Sequence, residues 1–350
     1  VRRPAEYAAA VARRSRRAAV KADAHLQRRR AARASDRGTG VILLYHRVAE
    51  TQADPWGNAV TPERFAEHLE ALQAEMSVCS LAELSASIDH GSVPARSVAV
   101  VFDDGYADNL TQALPALERH QTPATLFVAT GFIGSDGPYW WDELTDLLLG
   151  PGERPAVLEA SLAGRPIVAP TRTREERRTA LLTEVHPALS SLPPALIDAA
   201  LAPVRAWAAD GSGGPTVNGT GGSAARPMSA EELERFAASP LVELGAHTRS
   251  HPRMPHLSRS DQRTDVLAGR RALADITGRE PRFFAYPFGD ASRRSERIVR
   301  AAGFERAFGS RWALPVTAAS RRFETPRIAV TEEDAPSLIR RVDRILGNTV

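Results

Sequence analysis

Six short runs along the chain are apolar at nearly every position before a polar exit: VILLYHRV (41–48), SVAVVFDDG (97–105), ATLFVAT (124–130), LVELGAHT (241–248), RFFAYPFG (282–289) and RAFGS (306–310). Continuous rather than alternating apolar character predicts strands buried on both faces, as in a parallel sheet covered by helices. Between them, helical periodicity covers 62–75, 108–120, 259–276 and 292–302; Thr61 and Pro62 mark one start, and Gly303 follows another end. Such alternation predicts an α/β barrel or a doubly wound sheet. It breaks between about 137 and 228. That segment opens with PYWWDELTDLLLG, continues through Arg/Glu-rich helical patterns and ends in GSGGPTVNGTGGSAARP, whose glycines mark a flexible loop. It reads as a helical insertion into a single domain spanning 38–350 rather than as a second core.

The 350 residues, 43% hydrophobic and 25% charged, suffice for a large core. The net charge of +3 hides an asymmetry: residues 1–37 hold twelve Arg/Lys against three carboxylates, leaving that tail at +9 and the remainder at −6. A basic catalytic domain for nucleic acid is thereby disfavoured. The Ala/Arg-rich tail is expected to be helical or mobile, with an anionic membrane surface or a partner as its candidate contacts. No run approaches the roughly 18–20 apolar residues of a membrane span, so the expectation is a cytoplasmic protein, peripheral to the membrane through its tail, or a secreted one whose signal has been removed. The single cysteine, Cys79, excludes intramolecular disulfides and thiolate zinc clusters, leaving His and carboxylates as metal ligands.

Polar side chains where buried parallel strands end are the candidates for chemistry, because barrel active sites form on that rim. Asp103 and Asp104 follow VAVVF: adjacent carboxylates can diverge, one toward a cation, the other toward the proton of a water. His247 and His251 follow LVELGA and can converge on the same cation if the exit makes a helical turn, although Pro252 places the pair in a short turn rather than mid-helix. His46 ends the first run. Alone, Asp-Asp-Gly reads as a turn, the histidine pair as coincidence, and His46 as a core residue. The remaining histidines, His25, His68, His90, His120, His186 and His256, read as structural.

FDDG, then HTRSH, then FFAYPFG, in that order on those strand ends, resembles the polysaccharide deacetylase family (NodB homology, carbohydrate esterase 4), from about 41 to 330 outside the insertion. The resemblance implies a distorted (β/α) barrel that removes acetyl groups from N-acetylated amino sugars with a divalent metal, most often Zn2+, with Co2+, Ni2+ or Mn2+ as alternatives. It implies Asp103 as general base, Asp104, His247 and His251 as metal ligands, and Phe288 as the backbone N–H donor to the oxyanion. Tyr286 and Pro287 would wall the substrate groove, and Trp140 and Trp141 could stack on sugar rings or pin the insertion to the barrel.

The chain departs from the family pattern at three places. Ala285 stands where an arginine usually steadies the base, Ser310-Arg311-Trp312 replaces an Asp-Trp motif, and no histidine follows His256 to act as general acid. The YHRV opening resembles the poly-N-acetylglucosamine deacetylase subgroup, whose acid histidine comes from the start of the domain, which implies His46. In a closed barrel the first and last strands are neighbours, so the opening strand can deliver that side chain. Arg327, in PRIAV, is the expected substitute for the missing arginine. The substrate is expected to be a polysaccharide, lipid-linked saccharide or glycoside; the alternatives are an O-deacetylase and a catalytically inactive glycan-binding barrel.

Overall fold

A computed structural model describes residues 38–211, 225–310 and 313–347. The basic tail, most of the glycine-rich loop and Arg311-Trp312 lie outside the described residues. Eight strands form the main path of one sheet: β1 (Gly40–Tyr45), β2 (Ser97–Asp104), β3 (Ala124–Val128), β4 (Val242–Ala246), β5 (Phe283–Ala285), β6 (Arg306–Gly309), β7 (Thr325–Pro326) and β8 (Ile328–Ala329); a ninth, Ser77–Val78, pairs with β2 off this path. All the apolar runs of the sequence became strands, and β1, β2 and β3 are buried at every position, as their unbroken apolar character requires.

The order is β7-β6-β5-β4-β3-β2-β1-β8, every pairing parallel. Its two ends, β7 and β8, are separated in the chain by Arg327 alone. β7 pairs β6 while β8 pairs β1, and the Arg327 N–H donates to Gly309 O at 3.0 Å, so one short segment closes the sheet into a barrel. First and last strands are neighbours, and Arg327 sits at the seam.

Alternation within the buried strands sorts the two faces. Ile42, Leu44, Ala99, Val101, Phe127, Phe283, Ala285 and Phe308 pack into one cluster. Val41, Leu43, Tyr45, Val98, Val100 and Phe102 pack into another with residues of the helices Pro62–Glu75 and Ala335–Leu346. The period of two carries Leu44 on to His46 and Val101 on to Asp103 on the first face. Leu44 lies beside Val101 in register, so the next step sets His46 beside Asp103.

The helices over 62–75, 259–276 and 292–302 form as the sequence predicts, as Pro62–Glu75, Arg259–Thr277 and Arg293–Ala301. The one expected over 108–120 is broken: Asn109–Ala113 makes a wide π turn before Leu114–Arg119, because Pro115 has no N–H to donate back. The 137–228 segment is helical only in part. Val157–Leu162 and Arg165–Pro170 form an antiparallel hairpin whose side chains alternate between buried and exposed. Its turn is Ala163-Gly164, at φ 51° and 81°, the two-residue geometry that matches strand twist. The segment also carries an apolar cluster of its own, built from Trp140, Trp141, Leu144, Leu148, Leu181, Leu201, Val204 and Trp207, into which Tyr106 of the barrel inserts.

Candidate active site

Asp104, His247 and His251 bring one donor atom each to within 4.8 Å of one another, all three side chains buried. Asp104 Oδ1 lies 3.6 Å from His247 Nε2 and 3.3 Å from His251 Nε2. His247 Nδ1 is 2.9 Å from Ala285 O; an N–H there donates to the carbonyl and leaves the Nε2 lone pair toward Asp104. Asp104 Oδ1 is buried without a hydrogen-bond partner. Burial, then the adjacent Asp103 and Asp142, push the Asp104 carboxyl well above its ordinary range. Burial also holds both imidazoles below theirs, the state in which they ligate. An orphaned carboxylate oxygen between two neutral imidazoles fits a divalent cation.

The loop that presents the histidines is not the helical turn considered from sequence. Thr248 and His251 take left-handed conformations, φ 66° and 51°, and the His251 N–H donates to Thr248 Oγ1 at 3.0 Å. The helix Arg259–Thr277 backs this loop: a Cβ at Gly269 would stand 2.5 Å from the Thr248 carbonyl carbon, so only glycine permits the approach. Asp104 (φ 75°) and Phe288 (φ 57°) are likewise left-handed. Strain of this kind persists only where surrounding contacts hold it, and here it gathers at one rim.

Asp103 faces Arg327, not the imidazole pair alone. The guanidinium donates from Nη1 to Oδ1 at 2.6 Å and from Nη2 to Oδ2 at 2.9 Å, both groups buried. Burial by itself would raise the carboxyl; Arg327, with His247 and His46, outweighs it and keeps Asp103 below its ordinary range and ionised. The arginine absent at Ala285 is thus replaced from the barrel seam.

His46 is partly buried and near enough to Asp103, His247 and His251 for their charges to act on one another. Burial pushes its pKa down to about 4, with Asp103 acting in the opposite sense. Its backbone is clamped from the π turn: Asn109 Nδ2 donates to His46 O at 2.9 Å, and Asp108 accepts from the Val48 N–H at 3.1 Å and from Arg47 Nε at 3.0 Å. Sequence reading missed Asp108 and Asn109, although they stand four residues beyond the acidic pair.

The Phe288 N–H donates to no acceptor among the described residues, and the ring lies 4.7 Å from that of His251. Two expectations for the groove need correction. Tyr286 turns into the barrel's helix layer, where it is fully buried against Phe284 and donates to Phe323 O at 2.9 Å, and Pro287 is buried beside it. Trp140 and Trp141 are also buried, with faces already taken: Trp141 stacks on Tyr139 (4.6 Å, 13°), Trp140 on His186 (5.3 Å, 18°). They pin the insertion to the barrel rather than offer a platform to a sugar. Trp141 also touches the ring of His251 at 4.7 Å, and Tyr139 donates its hydroxyl to Asp104 O at 3.0 Å, so the insertion braces two of the candidate ligands directly. Of the histidines read as structural, His68 is one, hydrogen-bonded to Tyr45 and Glu333 O. His186 stands at the site's edge, between Trp56 and Trp140.

A sequence profile described as polysaccharide deacetylase matches residues 90–152 and 203–307. A search among curated protein sequences finds no match. Among solved structures, the Streptococcus pyogenes deacetylase PplD in complex with acetate is similar at 16% identity and a TM-score of 0.55, covering 87% of this chain and 98% of its own. IcaB from Ammonifex degensii is similar at 19% identity and 0.55, covering 87% and 97%. A de-N-acetylase from Aggregatibacter actinomycetemcomitans gives 14% identity and 0.52, covering 87% and 99%. These likenesses concern the fold, a nearly closed parallel barrel, and the profile concerns the sequence. The profile leads where the order of the strand ends already pointed: the chain belongs to the polysaccharide deacetylase family, of the NodB homology, carbohydrate esterase 4 type.

Proposed function

We propose that the chain is a metal-dependent hydrolase that releases acetate from N-acetylated amino sugars, of the YHRV-type poly-N-acetylglucosamine deacetylase kind. The observation that carries this reading is the unequal pair of neighbouring carboxylates. Asp103 is held ionised by the fork of Arg327, while Asp104 is left with an orphaned oxygen between two neutral imidazoles. Asp104, His247 and His251 would hold the cation, Zn2+ by the chemistry of two imidazoles and a carboxylate. When bound, such a cation supplies Lewis acidity toward an acyl oxygen and lowers the pKa of a water.

The protein's own groups divide the remaining work. Asp103, ionised and oriented by Arg327, takes the proton of the attacking water. The Phe288 N–H, without another acceptor, is available to the oxygen on which charge develops. His46, neutral at rest, takes up the proton that Asp103 has drawn from the water and passes it to the departing nitrogen, without which an amide anion would have to leave.

Acetate release from N-acetylglucosamine oligomers, assayed with stripped protein and with metal restored, tests the reading. Restored protein should turn over and stripped protein should not. Asp103→Asn should retain the metal and lose turnover by about 10²–10⁴-fold; near-normal turnover in that variant would remove Asp103 as base.

A further inference from the structure

Arg253 lies two residues beyond His251, and the mechanism leaves it unused. Its guanidinium lies over the ring of Phe288, 4.1 Å from the centroid, and that ring lies 4.7 Å from the imidazole of His251. One aromatic ring therefore separates a cation from the ligand set. Arg253 Nε donates to Ser190 Oγ of the insertion at 3.2 Å. The stacking and this single bond fix the plane of the guanidinium while using one of its five N–H groups. No ion pair of Arg253 with a described residue accompanies them; Asp290 is close enough to be felt, but stands outside ion-pair distance and has a partner of its own.

The other charges of the site have an answer: Asp103 has Arg327, and Asp104 would have the cation it fits. On the Arg253 side it is donors that lack acceptors: the buried indole N–H of Trp140, stacked on the neighbouring His186, has none either among the described residues. A half-buried guanidinium, already oriented and with its terminal amino groups unclaimed among the described residues, suits an anion that can take two parallel hydrogen bonds. Because its orientation is set in advance, little freedom is lost on binding.

We propose that Arg253 forms an anion subsite beside the reacting acetamido group, so that the preferred substrate carries a carboxylate or a phosphate ester on or next to the acetylated amino sugar. This rests on the deacetylase reading of the same site and narrows its substrate class.

The test uses the full, metal-loaded chain and three probes: neutral N-acetylglucosamine oligomers, N-acetylglucosamine 1-phosphate, and an oligomer in which the acetamido sugar alternates with a uronic acid. At least one anionic probe should exceed the neutral one in kcat/KM for acetate release by about 10- to 100-fold, the range of one charge-assisted pair. Whichever is preferred identifies phosphate or carboxylate. Added salt should shrink the preference, Arg253→Gln should abolish it, and Arg253→Lys should keep part of it, all with kcat/KM on the neutral oligomer unchanged. Equal rates on all three probes would overturn the subsite. So would an Arg253→Gln variant that loses neutral and anionic turnover alike, which would make Arg253 a prop for Phe288. Absence of acetate from every probe would instead sink the deacetylase reading. In that event calorimetric titration decides the subsite: tighter binding of an anionic probe to the unaltered chain than to Arg253→Gln sustains it, and equal binding refutes it.

Discussion

The barrel rim and the insertion meet around Asp104 and His251, and both bury polar groups there, but they satisfy them differently. On the rim the partners come from far along the chain, as with Asp103 and Arg327, 224 residues apart, or are missing, as with Asp104 Oδ1. In the insertion the polar atoms serve near neighbours within an aromatic cluster: Trp141 Nε1 donates to the Tyr106 hydroxyl at 2.7 Å, and that hydroxyl donates to Asp142 Oδ2 at 2.7 Å. A region that leaves a buried carboxylate oxygen unanswered keeps a place for something to bind. One that closes most of its own hydrogen bonds, with Trp140 Nε1 and Arg177 Nε as exceptions, is built to hold a shape.

The sharpest way to break this contrast is to remove the unanswered group. His247→Ala should lose bound metal and turnover together, measured by metal content after dialysis and by acetate release. Asp104→Asn should do the same, yet unfold at higher denaturant than the unaltered chain when both are stripped, because a buried carboxylate beside Asp103 has been neutralised. A stripped Asp104→Asn that is less stable would mean that Asp104 has a partner the geometry does not provide.

His46→Ala should come next, with turnover down by about 10²–10⁴-fold and metal content unchanged. Loss of metal would move His46 from proton donor to ligand. The two regions were unequally legible in the sequence, and His46 shows why. Its face and that of Asp103 follow from a period of two, whereas barrel closure came only with the family resemblance and the register that sets the two side chains side by side only with the structure. Arg327 was legible only through the gap at Ala285, since nothing local marks PRIAV as the seam. The insertion gave less, because its hairpin and its aromatic cluster depend on packing between segments without a common period. YWWD could be read as a sugar platform or as a pin until the ring faces were seen to be covered. Pro115, the cause of the π turn that clamps His46, was a visible signal left unused.

Tyr139→Phe probes the junction itself at a smaller scale. The hydroxyl it removes donates to Asp104 O, which keeps a second donor in the Ala129 N–H at 3.1 Å. The loss should be about 1 kcal/mol, read as a weakening of metal affinity by about five- to tenfold, with the pH dependence of turnover unmoved. If metal affinity stays the same, the insertion braces the ligands through Trp141 alone.

A different kind of effect belongs to the insertion and separates the regions by pH. Burial pushes the Asp142 carboxyl up to about 7, with Arg47 and the Tyr106 hydroxyl acting the other way. A carboxyl with a folded pKa above its unfolded value of about 4 contributes its full stability below that value and loses it as pH rises through the folded one. The unaltered chain should therefore lose stability from this source between about pH 4 and about pH 7, and Asp142→Asn should not. Comparing urea midpoints at pH 5 and pH 8, the variant should gain on the unaltered chain at the higher pH. Asp108, on the barrel side, is pushed up to about 6 by burial against the pull of Arg47 and should act in the same sense over a lower window. If the midpoints of Asp142→Asn and the unaltered chain run parallel from pH 5 to pH 8, the titration in that range belongs to the clamp beneath His46 and not to the insertion.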